Sequence, residues 1–260
     1  MQLSFSLPNQ KEVITEEFLF KDIRQFCSYE KIPLSQSIKV LESFIHTKNL
    51  NVLEKFLALI LLRKHCLSDI VSVKSAKGNI EMDLKYIIKN IGNVADIMHK
   101  ITIDGVKYVL NYPTQFNTGN SDSILSIIYS IQLDDEKIIV NDLTSDEFDQ
   151  LINSLPKKLF KYLQEYVKNN QHYFTVNIWD EKKTLNIREA KLNVLSEEFS
   201  TFIVTLFHTM DHLDYKKMLF VLSSRISDVN FLLNCTPKEI DDFYNLYKDE
   251  VQKQNQNLQK

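Results

Sequence analysis

His208, Asp211 and His212 are the only residues whose types and spacing resemble a metal or acid–base set. Histidines four apart on a helix place two imidazoles on one face, an arrangement zinc sites use. The pattern lacks the Glu that follows the first His in the metalloprotease signature, and no third ligand stands nearby in sequence. Helix-end interactions and surface polarity account for the trio more simply, so it is carried only as the basis of a rival function. That rival is a small metal-dependent hydrolytic enzyme.

Other reactive types are isolated. Ser223-Ser224 has no nucleophile elbow, and Cys27, Cys66 and Cys235 have neither a histidine context nor metal-ligand spacing. Asp134-Asp135-Glu136 has no EF-hand loop around it and reads as a solvated acidic turn. The Lys157-Lys158 and Lys216-Lys217 pairs are too short for a nucleic-acid track. Tyr215, Phe220, Phe243, Tyr244 and Tyr247 are expected to be mostly core, with one or two left to anchor a protein partner. No catalytic residue, cofactor or metal ligand is assigned, and neither a nucleic acid, a membrane nor a small-molecule ligand is expected.

Bulk properties agree. The 260 residues are 44% hydrophobic and 25% charged, ordinary for a globular chain with a substantial core. A net charge of -3 offers no field to gather nucleic acid. Only 4 glycines leave little room for phosphate-cradling loops. Three scattered cysteines suit a reducing compartment. The N-terminus has neither a basic start nor a long apolar run, so no secretory leader is expected, and Phe56 to Leu62 is too short to span a bilayer.

The elements that would position these residues follow from periodicity. Gln2–Leu7 and Glu12–Thr15 predict a hairpin about Pro8-Asn9. Helices are expected over Phe18–Glu30, ended by Pro33, from Ser35 or Ser37 onward, and over Asn49–His65, the most apolar. Ile70–Val73 with Ile80–Leu84, and Lys100–Ile103 with Val106–Leu110, predict two further hairpins; Asp104-Gly105 is the strongest turn signal in the chain. Ile124, Ile127, Ile128 and Ile131 favour a helix over 122–131, and Lys137–Val140 a strand. Thr144 and Glu147 form a capping-box pair, and a second helix starts near Pro156. His172–Ile178 and Lys183–Ile187 predict a hairpin with Trp179-Asp180-Glu181-Lys182 near its tip. Ser196 caps the next helix, and Thr236-Pro237-Lys238-Glu239 starts the last. The fold class is α+β: helices packed around small antiparallel β-hairpins. Two similar lobes are expected, residues 1–131 and 144–251, with 252–260 a disordered tail.

Read in order, several phrases resemble the baseplate hub subunit and hub assembly proteins of T-even-type contractile-tailed bacteriophages. They are LPNQKEVITEEFLFKDIRQF, LALILLRKHCLSDIVSVKSAKGNIEMDLKYIIKNI, LTSDEFDQLINSLPKKLFKYLQEYVKNN and LDYKKMLFVLSSRISDVNFLLNCTPKEIDDFYNLY. Some relatives carry Cys-x-x-Cys at the strand pairs; Val71–Leu84 and Phe174–Ile187 have no Cys, which implies metal-free hairpins here. The resemblance implies a non-enzymatic structural or assembly protein. It would bind other baseplate hub and tail proteins, in the host cytoplasm during assembly or in the virion tail. An intracellular protein-binding adaptor is the remaining alternative.

Overall fold

Alternation at the N-terminus produces the first pairing. In the computed structural model, strands β1 (Gln2–Ser6) and β2 (Glu12–Glu16) form an antiparallel hairpin. The structure describes residues 1–27, 32–75, 78–91, 99–119, 124–133, 136–169, 173–180 and 188–258. Helix α1 (Phe20–Phe26) starts where the Leu19 N–H donates to the Asp22 carboxylate at 2.9 Å. It starts two residues later than periodicity predicts and has Cys27 as its C-cap; residues 28–30 of the expected helix lie outside the described residues. Helix α2 (Leu34–Ser43) begins directly after Pro33. Pro33 is its N-cap, so the helix begins upstream of Ser35 and Ser37.

Helix α3 (Val52–Cys66) is capped reciprocally. The Asn51 side chain accepts the Glu54 N–H at 2.9 Å, and the Glu54 carboxylate accepts the Asn51 N–H at 3.0 Å. Val52, Phe56, Ala58, Leu59, Ile60 and Leu62 are wholly buried, which makes α3 the central helix. Strands β3 (Ile70–Ser75) and β4 (Gly78–Asp83) and helix α4 (Leu84–Ile91) follow. Strands β5 (His99–Ile103) and β6 (Val106–Leu110) turn at Asp104 (φ 48) and Gly105 (φ 86), the left-handed pair an Asp-Gly hairpin requires.

Of the segment expected to be helical over 122–131, Asp122 and Ser123 lie outside the described residues, and Ile124 and Leu125 are helical. From Ile128 the chain is strand β7 (Ile128–Leu133), which pairs with β6 and with β8 (Glu136–Ile139). The reason lies in a bulge. Leu110 faces Ile128 while Val109 faces Ser130, so Tyr129 is an extra residue in β7. Ile127, Ile128 and Ile131 are then all buried, and the broken alternation imitates a helical period.

A 3₁₀ turn (Val140–Asp142) leads to α5 (Ser145–Ser154), capped by Thr144 and Glu147 as predicted, and then to α6 (Lys157–Asn169). Strands β9 (Tyr173–Asp180) and β10 (Arg188–Asn193) form the next hairpin. Its return strand therefore lies beyond Lys183–Ile187, which is outside the described residues. Trp179 and Asp180 extend β9 and pair with Glu81 and Ile80 of β4. That edge-to-edge pairing joins the two hairpins into a sheet of order β10-β9-β4-β3, while β5 to β8 form a second four-stranded sheet in chain order.

The chain closes with α7 (Glu197–Phe207), α8 (His212–Ser223), α9 (Val229–Asn234) and α10 (Pro237–Leu258). Helix α10 continues to Leu258, past the boundary expected at 251. No Gly or Pro follows Pro237, and its Lys, Glu and Gln residues hold helical geometry well. The result is an α+β fold.

The core is aromatic. Phe18 lies 5.3 Å from Phe44, 5.4 Å from Phe207 and 6.0 Å from Phe26, centroid to centroid. Phe199 on α7 meets Phe56 on α3 edge-on at 4.9 Å, so the last third of the chain covers the central helix.

Candidate interaction surface

The histidine trio does not assemble. The backbone of His208 is extended, because it ends α7, and α8 starts only at His212; the two imidazoles never share a helix face. The Nδ1 of His208 is 2.7 Å from the Phe26 carbonyl oxygen, so that nitrogen carries the proton and donates. Asp211 is the N-cap of α8 and accepts the Asp214 N–H at 2.8 Å. Each residue ends a helix or ties one to α1. Among the described residues, no group of three or more His, Cys, Asp or Glu could hold a metal ion.

The other reactive types are likewise engaged in the fold. Ser223 and Ser224 donate to the carbonyls of Phe220 and Val221, three residues back. Cys27, Cys66 and Cys235 are buried. Burial, reinforced at Cys27 by Asp211, pushes the Cys27 thiol up to about 11; burial also lifts Cys66 to about 11. Such thiols are inert as nucleophiles at neutral pH. Lys158 pairs with Asp104 at 2.9 Å, and Lys217 with Asp214 at 3.7 Å. Asp134 and Asp135 lie outside the described residues.

The five aromatics divide between core and surface. Tyr215 is buried and stacked on Phe20 with centroids 4.7 Å apart. Phe243 is half-buried, 6.1 Å from Phe231. Tyr244 lies under the Lys248 ammonium at 4.3 Å, and Tyr247 faces the Arg225 guanidinium at 5.8 Å. Phe220 stands apart at 77% exposed. Leu213 sits seven residues before it, two turns away on the same face of α8, and is also exposed. Val229 and Phe231 on α9 and Leu246 on α10 are exposed too. Large apolar side chains thus face water on each of three successive helices.

A cleft of about 400 Å³ opens where α1 and the end of α3 meet α8 and α10. Phe20, Ile23, Met210 and Met218 line it, with Asp214 and Asp241 as its carboxylates. The Asp241 carboxyl sits above its ordinary range, chiefly through loss of water and secondarily through repulsion from Asp242. Arg63 also lines the cleft and is 3% exposed. Its Nε–H donates to the Leu206 carbonyl and an Nη–H to that of Ser68, satisfying the end of α7 and the chain after α3. Burial lowers the guanidinium to about 10, with Asp69 opposing; it stays charged at neutral pH. Sequence reasoning passed over Arg63 because nothing local separates it from Lys64. It also passed over the Asn51–Glu54 cap, whose spacing was legible.

A family model described as T4 bacteriophage base plate protein matches residues 1–200. The match ends within α7, so α8 to α10 lie outside it. No curated protein and no solved structure matches the chain.

Proposed function

Because the chain belongs to the T4 bacteriophage base plate protein family, we propose that this phage baseplate structural protein works at the hub, as a subunit or an assembly factor. It binds other hub and tail proteins and acts by association, without catalysing a reaction. It is made in the host cytoplasm and joins the tail there. The observation that carries this reading is the set of large apolar side chains that α8, α9 and α10 hold in water, Phe220 the most exposed of them. Burying such a surface against a partner supplies association energy of about 25 cal/mol per Å² before entropic costs.

The test is a pull-down from infected cells with the full chain as bait, with mass spectrometry of the captured proteins and of purified virions. Hub and tail proteins are expected in the capture, and Phe220→Ser is expected to reduce their recovery while leaving the fold intact. Capture without any tail protein, together with absence of the chain from virions, would sink the proposal. Presence in virions identifies a subunit; capture without presence identifies a transient assembly factor.

A further inference from the structure

The sheet of β5 to β8 has two unlike faces. Ile101, Tyr108, Ile131 and Ile138 stand in one cross-strand row. One residue along each strand, hence on the opposite face, the row is Thr102, Lys107, Gln132 and Lys137. Lys100, Val109, Ser130 and Ile139 form a second row of that opposite face. It encloses a concavity of about 550 Å³, lined in part by Lys100, Thr102, Lys107, Ser130, Gln132 and Lys137. Among the described residues no Asp or Glu lines it. None of the three lysines has an ion pair with a described residue. Asp104, in the β5–β6 turn, is already held by Lys158. Glu136 alternates onto the other face.

The floor gives an independent sign. Ser130 is 1% exposed, lines the concavity, and its Oγ makes no hydrogen bond within the described protein. Buried hydroxyls almost always have a partner, and this one is free to donate. We propose that this face of the β5–β8 sheet binds the carboxylates of an acidic, extended segment of another baseplate protein. Lys100, Lys107 and Lys137 supply the cationic contacts, and Ser130 supplies a hydrogen bond from the floor.

The spacing favours several separated negative charges over one compact anion. Lys107 and Lys137 share a row two strands apart, which sets their backbones about 10 Å from each other. Alternate side chains of an extended peptide recur about every 7 Å on one face. A nucleic-acid strand would call for exposed aromatic platforms. Tyr108 is 2% exposed and Tyr129 half-buried, and the chain's net charge is -3.

The proposal rests on the reading that the chain binds other baseplate proteins, and its test does not depend on capturing any of them. Binding of a fluorescently labelled hexaglutamate peptide to the full chain is measured by anisotropy at low and moderate salt. Saturable binding that weakens with salt is expected. It should fall about tenfold or more in Lys107→Glu/Lys137→Glu, and severalfold in Ser130→Ala. The lysines are exposed, and circular dichroism checks that the variants fold. No binding, equal binding by the charge-reversed variant, or preferential binding of an oligothymidylate overturns the proposal. If hexaglutamate fails while the pull-down still recovers tail proteins, this site is wrong and the functional reading stands.

Discussion

At the scale of single residues, burial decides which side chains have chemistry left. Cys27 and Cys66 are raised from about 9 to about 11 because the fold excludes water from their thiolates. The sign follows: the folded state holds these protons more tightly than the unfolded chain. Their contribution to stability is therefore full below about pH 9 and is lost as pH rises through about 11. Two outcomes check this. Iodoacetamide at pH 8 should leave both thiols of the native protein unlabelled and modify them once denaturant is added, read by intact mass. Urea midpoints should fall between pH 9 and 11 beyond the loss seen in a Cys27→Ala/Cys66→Ala variant. Arg63 makes the same point with hydrogen bonds. Arg63→Ala strands the Leu206 and Ser68 carbonyls and should destabilise by about 3 kcal/mol in chemical denaturation. Phe220→Ser, exposed and without such partners, should change stability by less than about 0.5 kcal/mol.

At the scale of elements, local signals worked wherever the element satisfied itself. Thr144 with Glu147, Thr236 with Glu239 and Ser196 each cap the helix that follows, as their spacing predicts. Asn51→Ala should cost about 1 kcal/mol in urea unfolding, by removing one half of the α3 cap. The Asp104-Gly105 turn was legible for the same reason. A Cβ at Gly105 meets nothing within 4 Å, so Gly105→Ala should cost about 1 kcal/mol through its φ of +86 alone. Failures came where a neighbouring element decided the outcome. The bulge at Tyr129 disguised β7 as a helix, and the pairing of β4 with Trp179 and Asp180 at the end of β9 has no local signal.

At the scale of the molecule, the two halves of the chain are interleaved. β4 from one half borders β9 from the other, and Phe199 covers Phe56. A fragment of residues 1–131 would expose the β4 edge and the α3 face together, both aggregation hazards. It should give collapsed amide dispersion in a two-dimensional NMR spectrum, whereas the full chain gives a dispersed one. A well-dispersed, monomeric fragment would show instead that the first half is self-sufficient. The chain belongs to the baseplate family, and Leu213, Phe220, Val229, Phe231 and Leu246 on α8 to α10 face water.

The sequence by itself determined the α+β class, the caps, the Asp-Gly hairpin and the family, because each depends on contacts within a few residues or on the order of phrases along the chain. Only the tertiary structure decided that His208 and His212 part company, that Tyr215 is core while Phe220 is surface, and that three lysines share one face with a serine that has no partner among the described residues. Those outcomes depend on which elements meet. Period and spacing place a residue on a face of its own element, but burial is set by the neighbour that covers that face.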